Sequence, residues 1–120
     1  MKVNFTSDIE LGFTLEMTCS WESSNDEKTI QWYRQSNMYK QYIWTFAGNS
    51  TVATENAPTD GFQHKFQHIP QTDYETFHKI LLSDASQNDE WFYGCEIKIS
   101  DIPMYDSLPR RLNVIGNRFV

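Results

Sequence analysis

A chain of 120 residues is long enough to bury one core and too short for two, so a single domain is expected. Aromatics at 15% and charged residues at 22% fit a folded chain with ample contact area and argue against disorder. The formal charge of −6, from 16 acids against 10 scattered Lys and Arg, disfavours nucleic acid and anionic membrane as partners, and no apolar run reaches the ~18 residues of a membrane span.

Met1-Lys2 is not followed by a signal-peptide core, which leaves two readings: a leader already removed, or a cytosolic chain. Two cysteines far apart, Cys19 and Cys95, suit an oxidising compartment if they pair, against the alternative of two unrelated buried thiols, and they favour the first reading. The sequons Asn4-Phe5-Thr6 and Asn49-Ser50-Thr51 are compatible with a secretory route.

In chain order, Gly12 to Cys19 alternates, with Leu15, Met17 and Cys19 on one face and Glu16 and Thr18 on the other, the period of a half-buried strand. Residues 20 to 28 read as a polar loop. Thr29 to Gln35 is the next strand, placing Ile30, Trp32 and Arg34 opposite Gln31, Tyr33 and Gln35. Gln41 to Phe46 is a third strand, followed by a turn at 47–50 and a Pro/Gly loop at 56–61. Phe62 to Ile69 reads as a strand stopped by Pro70, with Phe77 to Ser83 as its partner. Residues 83–89 suit one short helical turn, Glu90 to Ser100 a strand, 100–109 a Pro-bounded loop, and Arg111 to Ile115 a last strand. A domain over 1–116 with a tail at 117–120 is expected. All-β is the fold class, with no repeat and no long helical period.

Three runs carry a family resemblance. Gly12 to Cys19 follows G-x-x-[LV]-x-L-x-C with Met17 for the usual leucine; Trp32-Tyr33-Arg34-Gln35 follows W-[YV]-[RK]-Q; and Ile80-x-Leu82-x-x-Ala85-x-x-x-Asp89-x-x-x-Tyr93-x-Cys95 follows L-x-I-x-x-[AV]-x-x-x-D-x-x-x-Y-x-C. Residues 12 to 114 thus resemble an immunoglobulin variable-type (V-set) domain, a two-sheet Greek-key β-sandwich. The resemblance implies a Cys19–Cys95 bridge between sheets, Trp32 packed on it, a tyrosine corner at Tyr93, and a Lys65–Asp89 salt bridge closing the base. An exposed pair would contribute only about 0–1 kcal/mol. Three departures stand out: Trp91 occupies a normally small site, 71–76 is an insertion, and Asp106-Ser107-Leu108-Pro109 replaces the Phe-Gly-x-Gly of antigen-receptor joining segments. An antibody or T-cell-receptor chain is disfavoured.

Family members commonly bind proteins through the outer face of strands G, F, C and C′. Alternation sends Gln31, Tyr33, Gln35, Phe92, Gly94 and Glu96 to that face. On C′ either Tyr42, Trp44 and Phe46 or Ile43 and Thr45 point out, and the aromatic set is favoured, forming an exposed aromatic patch of the kind that marks interfaces, against the alternative that Trp44 or Phe46 turns inward to fill the core. Asp101, Ile102, Met104 and Tyr105 are expected as contact residues on the third hypervariable-type loop. His64 and His68 suggest zinc only if helical, since on a strand they stand roughly 13 Å apart, and no nucleophile, metalloprotease or phosphate-loop motif is present. No enzyme, metal or cofactor is expected. The expected function is an extracellular recognition or adhesion module of a cell-surface receptor, binding a protein or a second copy of itself through this face. Alternatives are a secreted innate-immune domain binding microbial or glycan ligands through its loops, and a purely structural spacer.

Overall fold

The structure, a computed structural model, describes residues 1–22, 27–48, 53–55, 62, 65–69, 76–99 and 102–116. Among these lie β1 (Lys2–Asn4), β2 (Asp8–Glu10), β3 (Leu15–Ser20), β4 (Lys28–Ser36), β5 (Tyr39–Gly48), β6 (Ala53–Glu55), β7 (Phe66–His68), β8 (Phe77–Leu82), β9 (Phe92–Ile99), β10 (Ile102–Asp106), β11 (Arg110–Arg111) and β12 (Asn113–Ile115). A single 3-10 turn, Gln87–Asp89, falls in the polar run expected to hold one. One sheet is ordered β1-β3-β8-β7 and the other β10-β9-β4-β5-β6, with β11 continuing along β9. Their pairs are antiparallel, while β12 runs parallel to β2. This is the all-β sandwich the sequence predicts.

Period-2 alternation builds the core. Leu15, Met17 and Cys19 of β3 and Ile80 and Leu82 of β8 meet Ile30 and Trp32 of β4 and Tyr93, Cys95 and Ile97 of β9, all buried. The bridge joins Cys19 to Cys95 across 76 residues of chain, linking β3 of one sheet to β9 of the other. Trp32 is fully enclosed, and its indole N–H donates to His78 Nδ1 at 2.9 Å, while the His78 ring stacks on Phe46 at 4.6 Å. The buried indole donor is thereby satisfied inside an apolar core.

At the base, the Tyr93 hydroxyl donates to the Asp89 carbonyl at 2.7 Å, the tyrosine corner. Asp89 is buried, and its carboxylate meets Lys65 Nζ at 2.9 Å and accepts from the Ser86 N–H at 2.8 Å. The pair is buried on one side, the Asp89 side chain being 5% and that of Lys65 30% exposed, so loss of Lys65 would strip a buried carboxylate of its cation. Trp91 closes the same end: its indole N–H donates to the Asn88 carbonyl at 3.0 Å, and the Arg34 guanidinium lies 4.1 Å from its ring and 4.8 Å from that of Phe62. Bulk at position 91 caps the sandwich with an aromatic–guanidinium stack.

Three sequence-based expectations are corrected. The 62–69 strand shortens to Phe66–His68, because the Phe62 carbonyl accepts the N–H groups of Lys65 and Phe66 in a turn. The segment expected as a loop over 100–109 contains β10, which extends the β9 edge. The last strand divides at Leu112, whose side chain is fully buried. His64, most of the 71–76 insertion and the 117–120 tail lie outside the described residues.

Candidate functional site

The outer face of the larger sheet is set by register. Four rows cross it: Arg111–Phe92–Gln35–Lys40, then Gly94–Tyr33–Tyr42, then Asp106–Glu96–Gln31–Thr45, then Pro103–Lys98–Thr29–Ala47. Directly paired residues share a face. Between the first two rows and the third, the β4–β5 register shifts: Trp32 pairs with Trp44 but Tyr33 pairs with Tyr42. Ile43 is the extra residue of a bulge, which breaks the alternation on which the sequence reading relied.

The bulge therefore corrects the expected aromatic patch. Tyr42 faces out at 36% exposure, whereas Ile43, Trp44 and Phe46 all turn into the core, Trp44 at 6% and Phe46 at 1%. Trp44 is not a partner-contact residue. It lies opposite Trp32 and belongs to the packing around the bridge.

Tyr33 faces out by register yet is fully covered, a second correction. Its hydroxyl meets Asp106 Oδ1 at 2.8 Å and the Ser107 carbonyl at 3.2 Å, so the phenol lies across β9 toward the next strand. Such a path crosses Gly94, where an added Cβ would come within 2.5 Å of Tyr33 Cζ. Lys40 reaches over the ring with its ammonium 4.1 Å from the centroid, 3.7 Å from Glu96 Oε1 and 3.5 Å from Asp106 Oδ2. Tyr33 holds this cluster in place beneath the surface; it does not itself present a surface. Gly94→Ala is expected to destabilise the domain by about 1–3 kcal/mol through overpacking, read as a lower urea midpoint at unchanged slope. A loss under about 0.5 kcal/mol, the range of ordinary surface changes, would show that the ring has room to move.

Three phenols titrate abnormally high. Burial raises Tyr33, and the hydrogen bond to and charge of Asp106 raise it further. Tyr93 is raised by burial and then by the charge of Asp89, with Arg34 opposing. Tyr42 is pushed up to about 12 by burial, followed by its hydrogen bond to Glu96 and that carboxylate's charge. The unfolded phenols ionise near their ordinary value of about 10. The phenols' contribution to stability is therefore constant below pH ~10 and falls above it, as the unfolded chain sheds protons that the folded one retains, through about pH 12 for Tyr42. Urea midpoints measured at rising alkaline pH should drop while phenolate absorbance for Tyr33 and Tyr93 emerges only on unfolding. Ionisation of all six tyrosines near pH 10 with the fold intact would contradict this.

Of the other expected contact residues, Phe92 is 39% exposed, Gln35 half-buried, and Glu96 largely buried between Lys40 and Tyr42. Ile102 and Tyr105 are exposed on β10, with Met104 at a bulge between Pro103 and Tyr105. Asp101 and Asn49 lie outside the described residues, and Asn4 is exposed on β1 of the opposite sheet. Where the joining motif is missing, the chain makes its own irregularity: Asp106 pairs with Glu96 but Arg110 with Tyr93, one residue more than β9 supplies. Ser107 repairs the ladder, its hydroxyl accepting the Cys95 N–H at 3.0 Å and its N–H donating to the Cys95 carbonyl at 2.9 Å. Leu108 is left exposed.

Sequence reasoning did not single out Lys40, Lys98, Asp106 or Arg111. Lys98 follows Phe92, Gly94 and Glu96 at steps of two and was within reach of the same alternation. Its ammonium lies 6.0 Å from the Tyr42 ring, and the Arg111 guanidinium 5.5 Å from that of Phe92. Among the described residues no group of His, Cys, Asp and Glu is arranged to hold a metal ion, and no helix is long and apolar enough to cross a membrane.

Two sheets pinned by a buried disulfide with an indole beside it and a tyrosine corner below define an immunoglobulin-type sandwich. The immunoglobulin V-set domain model matches residues 5–115, and the chain belongs to the V-set family. Among curated proteins no sequence match is found. Membership makes this a recognition or adhesion type of module, in a family that commonly mediates protein–protein contacts and is typically extracellular.

Proposed function

We propose that this domain is the extracellular recognition module of a cell-surface receptor and binds a protein partner through the outer face of β10, β9, β4 and β5. The observation that carries this reading is the ordered centre of that face. Lys40, Tyr33, Tyr42, Glu96 and Asp106 are cross-linked into one layer, with Tyr42 and Phe92 partly open around it. A preorganised surface binds with little ordering cost, and partly exposed aromatics are the side chains from which interfaces draw most energy. The other sheet turns outward a paired Glu16 and Lys79 and carries the sequon Asn4, so sugar there would leave the binding face clear.

The test is a screen of the multimerised domain against secreted ectodomains. Phe92→Ser should abolish the authentic hits, whereas Lys79→Glu on the opposite sheet should leave them intact. Hits insensitive to Phe92→Ser would sink the proposal. A second reading, recognition through the strand tip, is favoured by the exposure of Ile102 (61%) and Tyr105 (57%). It predicts that hits are lost in Ile102→Ser and Tyr105→Ser and kept in Phe92→Ser.

A further inference from the structure

We infer that the partner of this face is a different protein presenting an acidic surface, a conclusion that rests on the face being the binding site. The argument comes from which charges are already spent. The described residues of the face hold two carboxylates, Glu96 and Asp106, and three cations, Lys40, Lys98 and Arg111. Both carboxylates are engaged internally: Lys40 lies within ion-pair reach of each, the Tyr33 hydroxyl meets Asp106, and Tyr42 bonds to Glu96. Glu96 is in addition 9% exposed, so it has little surface to offer a partner, whereas the Asp106 side chain is 49% exposed and is held by Lys40 and the Tyr33 hydroxyl.

Lys98 and Arg111 are in the opposite situation. Neither pairs with a carboxylate among the described residues; each instead lies over an aromatic ring that is itself partly exposed, Tyr42 and Phe92 respectively. Elsewhere Lys65 is matched with Asp89 and Lys79 with Glu16, while Lys2 and Arg110, which lies over the Phe5 ring, also have no carboxylate partner among the described residues. In a chain of net charge −6, this face leaves two cations unspent beside partly exposed aromatic rings, at the two ends of β9. A cation seated on an aromatic ring is held in position while its outer side stays open to an anion.

A second copy does not satisfy this surface. In a two-fold pair each face meets the same side chains, and the only described carboxylates there are already held by Lys40 and the tyrosines. Lys98 and Arg111 would then be desolvated against a single half-exposed carboxylate, Asp106, already shared with Lys40 and Tyr33, and two domains of charge −6 repel at long range. An acidic partner gains on both counts, since its carboxylates meet both cations and the flanking Phe92 and Tyr42 supply apolar contact.

The probe is a hexaglutamate peptide titrated into isotopically labelled domain and followed by amide shifts. The shifts should centre on Lys98 and Arg111, weaken with added salt, and in Lys98→Gln/Arg111→Gln require about tenfold more peptide, since each exposed ion pair is worth at most about fivefold in affinity and the two together at most about 30-fold. Shifts that are absent, or that centre instead on Lys2 and Lys79, would overturn the inference. So would tighter binding of a sulfated oligosaccharide than of the peptide, or concentration-dependent dimers in sedimentation that Phe92→Ser dissolves. An ectodomain hit lost in Phe92→Ser but indifferent to salt and to the glutamine pair would leave the face as the site and refute its acidic partner.

Discussion

Loss of the Cys19–Cys95 bridge is expected to lower the unfolding free energy by about 4.5 kcal/mol, the chain-entropy value for a loop of 76 residues. For a domain of 120 residues this corresponds to a fall in Tm of roughly 18 °C. It is a large share of the ~5–15 kcal/mol that holds a typical domain folded. The size follows from topology: the bond joins β3 to β9, so it closes most of the chain into one loop and ties one sheet to the other. Both sulfurs are wholly buried, so the Cys19→Ala/Cys95→Ala pair also gives up some packing beside Trp32 and should lose at least as much as the reduced wild type. Thermal denaturation of the oxidised, reduced and doubly substituted chains provides the comparison. A shift of only a few degrees would mean that the core, and not the bridge, holds the sheets together.

Trp44→Glu is expected to prevent folding or to remove more than about 4 kcal/mol, because it exchanges a core indole for a carboxylate. Tyr42→Glu, two residues earlier on the same strand, should keep the fold, since that side chain stands at the surface. Urea unfolding of the two variants separates them. A stable Trp44→Glu domain that had merely lost binding would place Trp44 on the outer face and refute the bulge at Ile43. The contrast tests side-chain direction directly, since a shift of one residue moves a strand's side chains to the other face.

Elements whose residues follow strict alternation were legible from the chain alone. Met17 and Cys19, Trp32, Tyr93 and Cys95 occupy the inward places that the pattern assigned, and Lys65 meets Asp89 at the base. The errors fall where the pattern is interrupted by backbone. At Ile43 an extra residue changes the phase of β5, and nothing in Tyr42-Ile43-Trp44 announces it, since all three residue types suit either face. The extent of β10 was hidden by Pro103, which reads as a strand breaker but is tolerated on an edge. Tyr33 was assigned to the correct face but not to its concealment, which depends on Lys40 crossing from a neighbouring strand and on the missing Cβ of Gly94. Long side chains that reach between rows leave no local signature.

The bulge at Ile43 also divides β5 into two lengths with different tolerances for change. Beyond it, Trp44 and Phe46 are tied to the surroundings of the disulfide, and a substitution there is felt by the whole sandwich. Before it, Lys40 and Tyr42 belong to the outer layer with Tyr33, Glu96, Lys98 and Asp106. A single strand thus contains a conservative half and a more adaptable half: a library randomised at 40 and 42 leaves the packing around the disulfide in place, provided that Glu96, which both residues hold, is varied with them.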